Sequence, residues 1–345
     1  MDLYVGIDLH SSNSFIGCDS FIGILNKNAE RVMSRRLPND REKILMALSP
    51  YREKIKGIAV ESTYNWYWLV DSLMEEDYQV HLGNPAAFQQ YKGLKYANDK
   101  HDAFWLAQML ALGLLPEGYI YPKEERGLRD LLRRRLQLVR HRTSMKMSLQ
   151  QICINQTGGC ITNNFIERIG DEDIKKIFED EEWRMNGESL LSTLDFIKGE
   201  IDKIERYALK QIKERTCYTS LTSIPGIGEI LGMTISLETG PIGRFASSGE
   251  YASYCRCVPS SYWSNEKKKG QGNTKNGNKY LAWAFAEAAS FCIRYCEEAK
   301  RYYQRKKAKA NTPKAYRAVS NKLAKCAYYL MKKGSLFDAE KLFGS

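Results

Sequence analysis

Short apolar runs separated by turn-forming residues open the chain. Residues 3–8, 14–18 and 21–25 are apolar segments of strand length, and Ser, Asn and Asp divide them. This pattern predicts three short strands, and the tight spacing favours an antiparallel meander. A helix is predicted over 40–48, where apolar residues recur at helical spacing.

Strands and helices alternate in the next part of the chain. Gly57–Glu61 predicts a buried strand, a helix is predicted over about 64–76, and another strand over about 78–82. Residues 99–115 predict an apolar helix. A meander followed by this alternation is typical of a mixed α/β sheet flanked by helices.

The pattern becomes helical after Pro122. Apolar residues at helical spacing run from 123 to about 156, glycines interrupt the pattern at 158 and 159, and a second long helix is predicted over about 186–215. Two long helices around a break predict an antiparallel hairpin or coiled-coil insertion. A third, predominantly helical part follows. We therefore predict three domains, at 1–122, 123–215 and 216–345.

Composition narrows the class of protein. The chain has 345 residues, 43% of them hydrophobic, which excludes a disordered polymer. Its longest nearly uncharged apolar run, Phe104–Leu115, is shorter than the roughly 20 residues that cross a bilayer. The N-terminus lacks a signal-peptide pattern, so we expect a cytoplasmic protein without membrane partners. Its nine cysteines form no C-x-x-C pair and are expected to be reduced core residues rather than zinc ligands.

Positive charge is concentrated at the C-terminal end. Residues 266–345 contain 19 Lys and Arg against 6 Asp and Glu. The excess of cations in this segment is larger than the net charge of +11 of the whole chain. Tyrosines are interleaved with these cations. A basic, aromatic-rich segment favours a nucleic-acid partner over a merely solvated helix surface.

Four acids stand at element ends in the predicted α/β domain. Asp8 closes the first predicted strand, Glu61 closes the fourth, and Asp99 and Asp102 share one face at the start of a helix. Each alone has an ordinary interpretation as a turn, capping or first-turn residue. Together they fit an RNase H-like, RuvC-type metal site, because converging carboxylates require a cation and hard Mg²⁺ or Mn²⁺ prefers oxygen ligands.

Two groups of motifs resemble a known family. At the N-terminal end these are Val5–Asp8, Ile58–Ser62, Asn84-Pro85 and Lys95–Ala107, the last following K-x-x-x-D-x-x-D-A-x-x-L-A. At the C-terminal end they are Ile224–Gly228, Arg244-Phe245, Tyr254 with Val258-Pro259 and Ser264, and Gly272–Leu281. The chain resembles the transposases of the insertion-sequence 110 family, the bridge-RNA-guided serine recombinases.

The resemblance implies a fold and a chemistry. It implies a RuvC-like domain whose metal-binding and catalytic acids are Asp8, Glu61, Asp99 and Asp102, and a helical C-terminal transposase domain with Ser264 as nucleophile. It further implies Mg²⁺ (or Mn²⁺), donor and target DNA, a noncoding guide RNA, and a homo-oligomer, dimer or tetramer, whose active sites combine acids and serine from different protomers.

Departures from the family pattern flank the serine. Asn265 replaces the usual glycine after Ser264, Arg256 stands where a glycine is common, and Ala282 replaces a frequent arginine. Ser260 and Ser261 are therefore competing candidates for the nucleophile.

Basic and glycine residues complete the predicted nucleic-acid contacts. The P-G-I-G turn with Gly226 and Gly228 resembles a helix-hairpin-helix element, which binds phosphate through backbone N–H groups, although a plain interhelical turn is equally consistent. The lysines and glycines near Ser264 predict a flexible basic loop that holds the scissile phosphate. The predicted cationic contacts are Lys267, Lys268, Lys269, Lys275 and Lys279 in this loop, and Arg133, Arg134 and Arg135 in the long basic helix.

These observations predict an RNA-guided DNA recombinase of an insertion sequence. Two enzymes remain as alternatives, a site-specific DNA invertase of the same family and a RuvC-like junction endonuclease that hydrolyses with water. A non-catalytic nucleic-acid-binding scaffold is a third interpretation from a different functional class.

Overall fold

The computed structural model describes residues 1–9, 19–88, 99–270 and 275–344, apart from the side chains of 262, 263 and 268. The chain divides into two compact units. The first comprises Met1–Lys123 with Lys269–Asn276, and the second comprises Glu124–Lys268 with Gly277–Ser345. The second unit therefore contains nearly all of the predicted middle domain and most of the predicted C-terminal domain, and the three-domain division stays a prediction.

A mixed sheet organises the first unit. Its strands are β1 (Leu3–Leu9), β2 (Asp19–Asn26), β3 (Arg31–Pro38), β4 (Ile55–Glu61) and β5 (Val80–Gly83), in the order β3-β2-β1-β4-β5 among the described residues. The first three strands are antiparallel, whereas β4 pairs in parallel with both β1 and β5. The predicted mixed sheet and the neighbouring first and fourth strands are confirmed. The strand predicted over 14–18 lies outside the described residues.

Helices cover both faces of the sheet. On one face α1 (Arg41–Leu48) and α2 (Tyr67–Glu75) pack on buried aliphatic side chains such as Val5, Ile7 and Val60. Asp40 caps α1 by accepting a hydrogen bond from the backbone N–H of Lys43. The opposite face carries α3 (Asp99–Ala111).

Two long helices pack antiparallel in the second unit. These are α4 (Lys123–Thr157) and α7 (Glu181–Ile212), joined through α5 (Asn163–Ile166) and α6 (Asp171–Ile177). Leu132 of α4 shares a core with Ile212, Leu138 with Ile201, and Leu149 with Leu191 and Leu194. The contacting position on α7 moves towards its N-terminus as the position on α4 moves towards its C-terminus, so the two helices pack antiparallel. The coiled-coil insertion stays a prediction.

The remaining helices surround a single large core. The elements are α8 (Thr216–Thr222), α9 (Glu229–Thr239), α10 (Ser248–Tyr254), the strands β6 (Tyr262–Ser264) and β7 (Lys267–Gly270), α11 (Lys279–Tyr295), α12 (Glu297–Lys309), α13 (Thr312–Lys333) and α14 (Ala339–Phe343). Tyr251, Phe285 and Leu323 meet at the centre. None of the described helices is both long and apolar enough to cross a membrane.

Four of the cysteines are buried in this core as predicted, whereas Cys160, in the helical hairpin, is exposed. Cys255, Cys257, Cys292 and Cys296 are buried free thiols. Burial raises the pKa of Cys257 and of Cys292 to about 12, so both side chains are neutral thiols near neutral pH.

Close packing of α3 against β1 depends on Gly6. A methyl group at this position would overlap the carbonyl oxygen of Ala103 and lie 2.7 Å from the backbone nitrogen of Ala107. We expect Gly6→Ala to reduce the free energy of unfolding by about 3 kcal/mol, because α3 must move away from the sheet. Denaturant unfolding measures this change.

Gly127 provides the matched control. It is exposed within α4, and a methyl group there would meet nothing within 4 Å. Gly127→Ala should leave stability unchanged or raise it by up to about 1 kcal/mol, because alanine favours the helix. Equal stability of Gly6→Ala and the parent protein would contradict the described α3–β1 packing.

Candidate functional site

Two of the predicted acids lie at the C-terminal ends of neighbouring parallel strands, Asp8 as the penultimate residue of β1 and Glu61 as the last residue of β4. Ile7 of β1 pairs with Val60 of β4, so Asp8 and Glu61 are each the next residue along their strands. Asp8 is buried, with 4% of its surface exposed, and Glu61 is half-buried. Because parallel strands end at the same edge of a sheet, the two carboxylates occupy one edge.

Both acids belong to the α3 face of the sheet. Side chains alternate along a strand, so Asp8 shares its face with Gly6, and Glu61 shares its face with Gly57 and Ala59. Gly6 lies against Ala103 of α3, as described above.

Contacts along β4 fix the direction of α3. Gly57 lies next to Leu110, and Ala59 packs with Leu106, which is about one helical turn earlier. The helix therefore runs antiparallel to β1 and β4. Two residues further along β4 correspond to about one turn closer to the N-terminus of α3. The next step along the strand reaches Glu61, and the next turn back along the helix reaches Asp102.

The first turn of α3 contributes the other two predicted acids. Asp99 and Asp102 are half-buried residues of this turn. The order of contacts brings them to the edge where Asp8 and Glu61 lie. The structure thus brings all four predicted acids to one edge on one face of the sheet.

The side chains of these acids do not close into a compact ligand cluster. Among the described residues, no group of three or more His, Cys, Asp or Glu side chains is arranged to hold a metal ion. His101 Nδ1 lies 3.6 Å from Asp102 Oδ1. The donor set itself consists of carboxylate oxygens, which is the chemistry that Mg²⁺ and Mn²⁺ prefer. The residue types and their common edge fit the oxygen ligation of a divalent cation.

Ser264 ends the first strand of a two-stranded hairpin. It is exposed at the end of β6, and Asn265 and Glu266 connect it to β7. Both connecting residues have positive φ, 51° and 60° respectively, as in a hairpin turn of two left-handed residues. Asn tolerates this conformation better than most residues, which explains how Asn265 occupies a position where the family commonly has glycine.

The predicted lysine contacts lie around this hairpin and after it. Lys267 and Lys269 are exposed on β7, and Lys275 is exposed further along the chain. Lys279 begins α11 and lies 5.2 Å from the ring centroid of Tyr280. The side chain of Lys268 lies outside the described residues. Their nucleic-acid contacts stay predictions.

The P-G-I-G turn separates two different glycine environments. Gly226 has φ 94°, and a methyl group there would lie 2.5 Å from the backbone nitrogen of Cys292. Packing of the turn against α11 therefore requires this glycine. Gly228 is exposed and precedes α9, with nothing within 4 Å of an added methyl group. Close packing alone explains why residue 226 is a glycine, and no nucleic-acid contact is needed to explain it. The exposed Gly228 has no such packing role.

The arginine run of α4 points in three directions. Arg133 donates through Nε and another guanidinium nitrogen to both carboxylate oxygens of Glu238, at 2.6 and 2.8 Å. Arg135 Nη2 lies 2.6 Å from Glu205 Oε1. Arg134 is exposed. The guanidinium groups of Arg133 and Arg135 thus bind protein carboxylates, and the nucleic-acid role predicted for the run is consistent mainly with Arg134.

Burial and ion pairing act in opposite directions on Arg133. Burial alone would lower the pKa of its guanidinium, but the hydrogen bonds and charge of Glu238 outweigh this effect and raise the pKa above its ordinary value. Arg133 therefore stays charged. No local pattern indicates this pair, because 105 residues separate its members.

Two family models match separate parts of the chain. The model described as "Transposase IS116/IS110/IS902 family" matches residues 218–304. The model described as "Transposase", a DEDD-type transposase domain of the same family, matches residues 5–155. Together the matches cover about two thirds of the chain. A comparison with curated proteins finds no match.

Proposed function

Because the chain belongs to the IS110 family of transposases, which are enzymes that cut and rejoin DNA, we propose that it is an RNA-guided recombinase of an insertion sequence. In this proposal Ser264 is the nucleophile, and Asp8, Glu61, Asp99 and Asp102 form a metal-assisted site. The observation that carries it is the common edge reached by the four acids.

The four carboxylates are the proposed ligands of Mg²⁺ or Mn²⁺. Such a cation, when bound, supplies positive charge for the phosphate oxygens of a scissile phosphodiester. The protein contributes a rigid frame, because Asp8 and Glu61 are fixed by paired strands and Asp99 and Asp102 by a helix packed on them. This frame limits the separation of the ligands.

Ser264 is the proposed attacking group. Its Oγ forms a bond to phosphorus while the bond from phosphorus to the oxygen of the leaving strand breaks, and the hydroxyl proton leaves Oγ as the departing oxygen gains one. The resulting phosphoserine ester keeps one strand attached to the protein. A hydroxyl of a second strand then attacks phosphorus and releases Ser264, so one phosphodiester replaces another without an oxidant or an external energy source.

Exposure of Ser264 supports this role. A hydroxyl at the end of an exposed hairpin is accessible to a DNA phosphate, whereas a core serine would not be. Serine is a weak nucleophile near neutral pH, so a nearby base or cation must activate it. We propose a composite site in which the acids of one protomer act with Ser264 of another, within a dimer or tetramer.

Positive charge supports binding of both nucleic acids. The C-terminal segment 266–345 has a larger excess of Lys and Arg over Asp and Glu than the chain as a whole, and residues 123–150 form a second basic stretch. We propose that these segments bind DNA and a noncoding guide RNA through phosphate contacts. Arg134 in α4 and Lys267 in β7 are exposed members of the two sets.

Trapping of a covalent intermediate tests the proposal. The protein, purified with its bound RNA, is incubated with Mg²⁺ and DNA containing the element's ends, then denatured and digested. Mass spectrometry should locate a phosphodiester-linked nucleotide on Ser264. Strand cleavage without any protein–DNA adduct would instead indicate a RuvC-like hydrolase.

Sequencing of RNA that co-purifies with the protein tests guidance separately. A discrete noncoding RNA encoded beside the gene is the expected result. Recombination that persists after complete removal of RNA would exclude guidance, and inversion between fixed sites would indicate a DNA invertase of the same family.

A further inference from the structure

Hydrogen bonds join the residues on either side of the segment 257–276, which carries Ser264 and is called the Ser264 segment below. Arg256, just before the segment, donates from Nε and Nη2 to the carbonyl oxygen of Gly277, at 3.1 and 2.8 Å. The backbone N–H of Asn278 donates to the carbonyl oxygen of Tyr254 at 2.6 Å. Residues 254–256 and 277–278 thus form a clasp that joins the two ends of the segment.

Backbone conformation shows that this clasp is closely fitted. Gly277 has φ 87°, and a methyl group there would lie 2.5 Å from the carbonyl oxygen of Tyr254. Arg256 has φ 55°, a left-handed conformation that is strained for a residue with a Cβ. The two guanidinium hydrogen bonds to Gly277 offset this strain.

Asn278 links the clasp to a buried carboxylate. Its side-chain oxygen caps α11 by accepting from the backbone N–H groups of Tyr280 and Leu281, at 2.8 and 3.1 Å. Its side-chain nitrogen donates to Glu238 Oε2 at 2.7 Å. Glu238 is only 3% exposed. The carboxylate therefore sets the orientation of Asn278, which lies just after the Ser264 segment.

Glu238 is in turn held by the long helix α4. Arg133 binds both of its oxygens, and the Arg133 guanidinium carbon lies 4.6 Å from the ring centroid of Tyr280. A bidentate pair of this kind fixes both orientation and distance. The chain of contacts runs from α4 through Glu238 and Asn278 to the base of the segment.

We propose that Arg256 and Glu238 are positioning residues that fix the two ends of the Ser264 segment at residues 254–256 and 277–278. The catalytic consequence of this inference rests on the proposed role of Ser264. The clasp itself is tested by a measurement that does not involve catalysis. Neither residue touches the reacting phosphate in this proposal. They act by keeping the two ends of the segment together while its hairpin presents Ser264.

Hydrogen exchange tests the clasp in the full-length protein. Glu238→Gln removes the charge while keeping the shape, and Arg256→Asn removes the guanidinium while retaining a residue that tolerates positive φ. Exchange of the backbone N–H groups of Asn278, Tyr280 and Leu281 should become about tenfold faster in each variant. Unchanged exchange in both variants would overturn the proposal.

The ion pair of Glu205 and Arg135 supplies a matched control for exchange. It also joins α4 to another helix, with Nε to Oε1 at 2.7 Å, and none of its hydrogen bonds or ion pairs among the described residues reaches residues 254–256 or 277–278. Glu205→Gln should leave exchange at 278–281 within about twofold of the parent protein. Equal acceleration in this variant would show general loosening of α4 and overturn the specific role of Glu238.

Adduct kinetics test the positioning role. At saturating DNA, formation of the protein–DNA adduct should be about tenfold slower in Arg256→Asn, with unchanged affinity for DNA, and Arg256→Lys should restore part of the rate through one donor group. Weaker DNA binding with an unchanged rate would assign Arg256 to binding instead. Absence of an adduct in the parent protein would refute the proposed function, whereas the exchange measurement would still decide the clasp.

Discussion

Ser264→Ala is expected to abolish the covalent protein–DNA adduct and to lower strand exchange by at least about 1,000-fold. The alanine lacks the oxygen that would bond to phosphorus, so no phosphoserine ester can form. Folding should be unaffected, because Ser264 is exposed at the end of β6. The measurement is adduct yield on denaturing gels, together with strand exchange on DNA that contains the element's ends.

Ser260 and Ser261 provide the controls for this substitution. Both are close in sequence to Ser264, and each was a competing candidate for the nucleophile. Ser260→Ala and Ser261→Ala should each retain adduct formation within a fewfold of the parent rate. Loss of the adduct in one of these variants, with its retention in Ser264→Ala, would move the nucleophile to that serine.

Local patterns were sufficient to predict the elements that carry the acids. The strands that carry Asp8 and Glu61 are short apolar runs bounded by turn residues, and they form β1 and β4. The helix after Asp99 has an apolar pattern and forms α3. Pairing of the first and fourth strands followed from the order of elements, because a connection through helices favours parallel neighbours.

The edge strand β3 was missed for a physical reason. Its residues, Arg31–Pro38, include three arginines and are mostly exposed, so the sequence lacks the alternation that marks a half-buried strand. Charged residues protect an exposed sheet edge from pairing with other chains. The same feature that suits the strand to its position therefore concealed it in the sequence.

Side-chain partners far apart in sequence were also missed. Arg133–Arg135 forms a basic run in the sequence, yet consecutive helical residues point about 100° apart. Arg133 consequently reaches Glu238 and Arg135 reaches Glu205, while Arg134 is exposed. A charge run indicates a possible nucleic-acid surface, but the tertiary structure decides which members face solvent.

The departure at Arg256 was visible in the sequence, but its explanation was not. A glycine is common there in the family, and φ 55° accounts for that preference. The two hydrogen bonds from Arg256 to Gly277 show why an arginine is accommodated in this chain. The contact depends on the close approach of residues 21 positions apart, which no local pattern encodes.

Asp8→Asn is expected to lower DNA strand cleavage by at least about 1,000-fold, because a neutral amide is a much poorer partner for a divalent cation. Asp8 is the most buried of the four acids, so the substitution should keep its shape within the β1–α3 packing. Cleavage is measured under single-turnover conditions with Mg²⁺ and, separately, with Mn²⁺.

Thermal unfolding provides a readout that does not depend on activity. A cation that binds only the folded parent protein stabilises it by about 2.7 kcal/mol at 100 times its Kd, and Asp8→Asn should lose most of this Mg²⁺-dependent increase in Tm. The Tm of each protein without added metal is the baseline for this comparison. Asp77→Asn, at an exposed left-handed position after α2, is the control and should retain both the Mg²⁺-dependent stabilisation and cleavage. Full cleavage activity in Asp8→Asn would exclude Asp8 from the metal site and would remove the main support for a four-carboxylate centre.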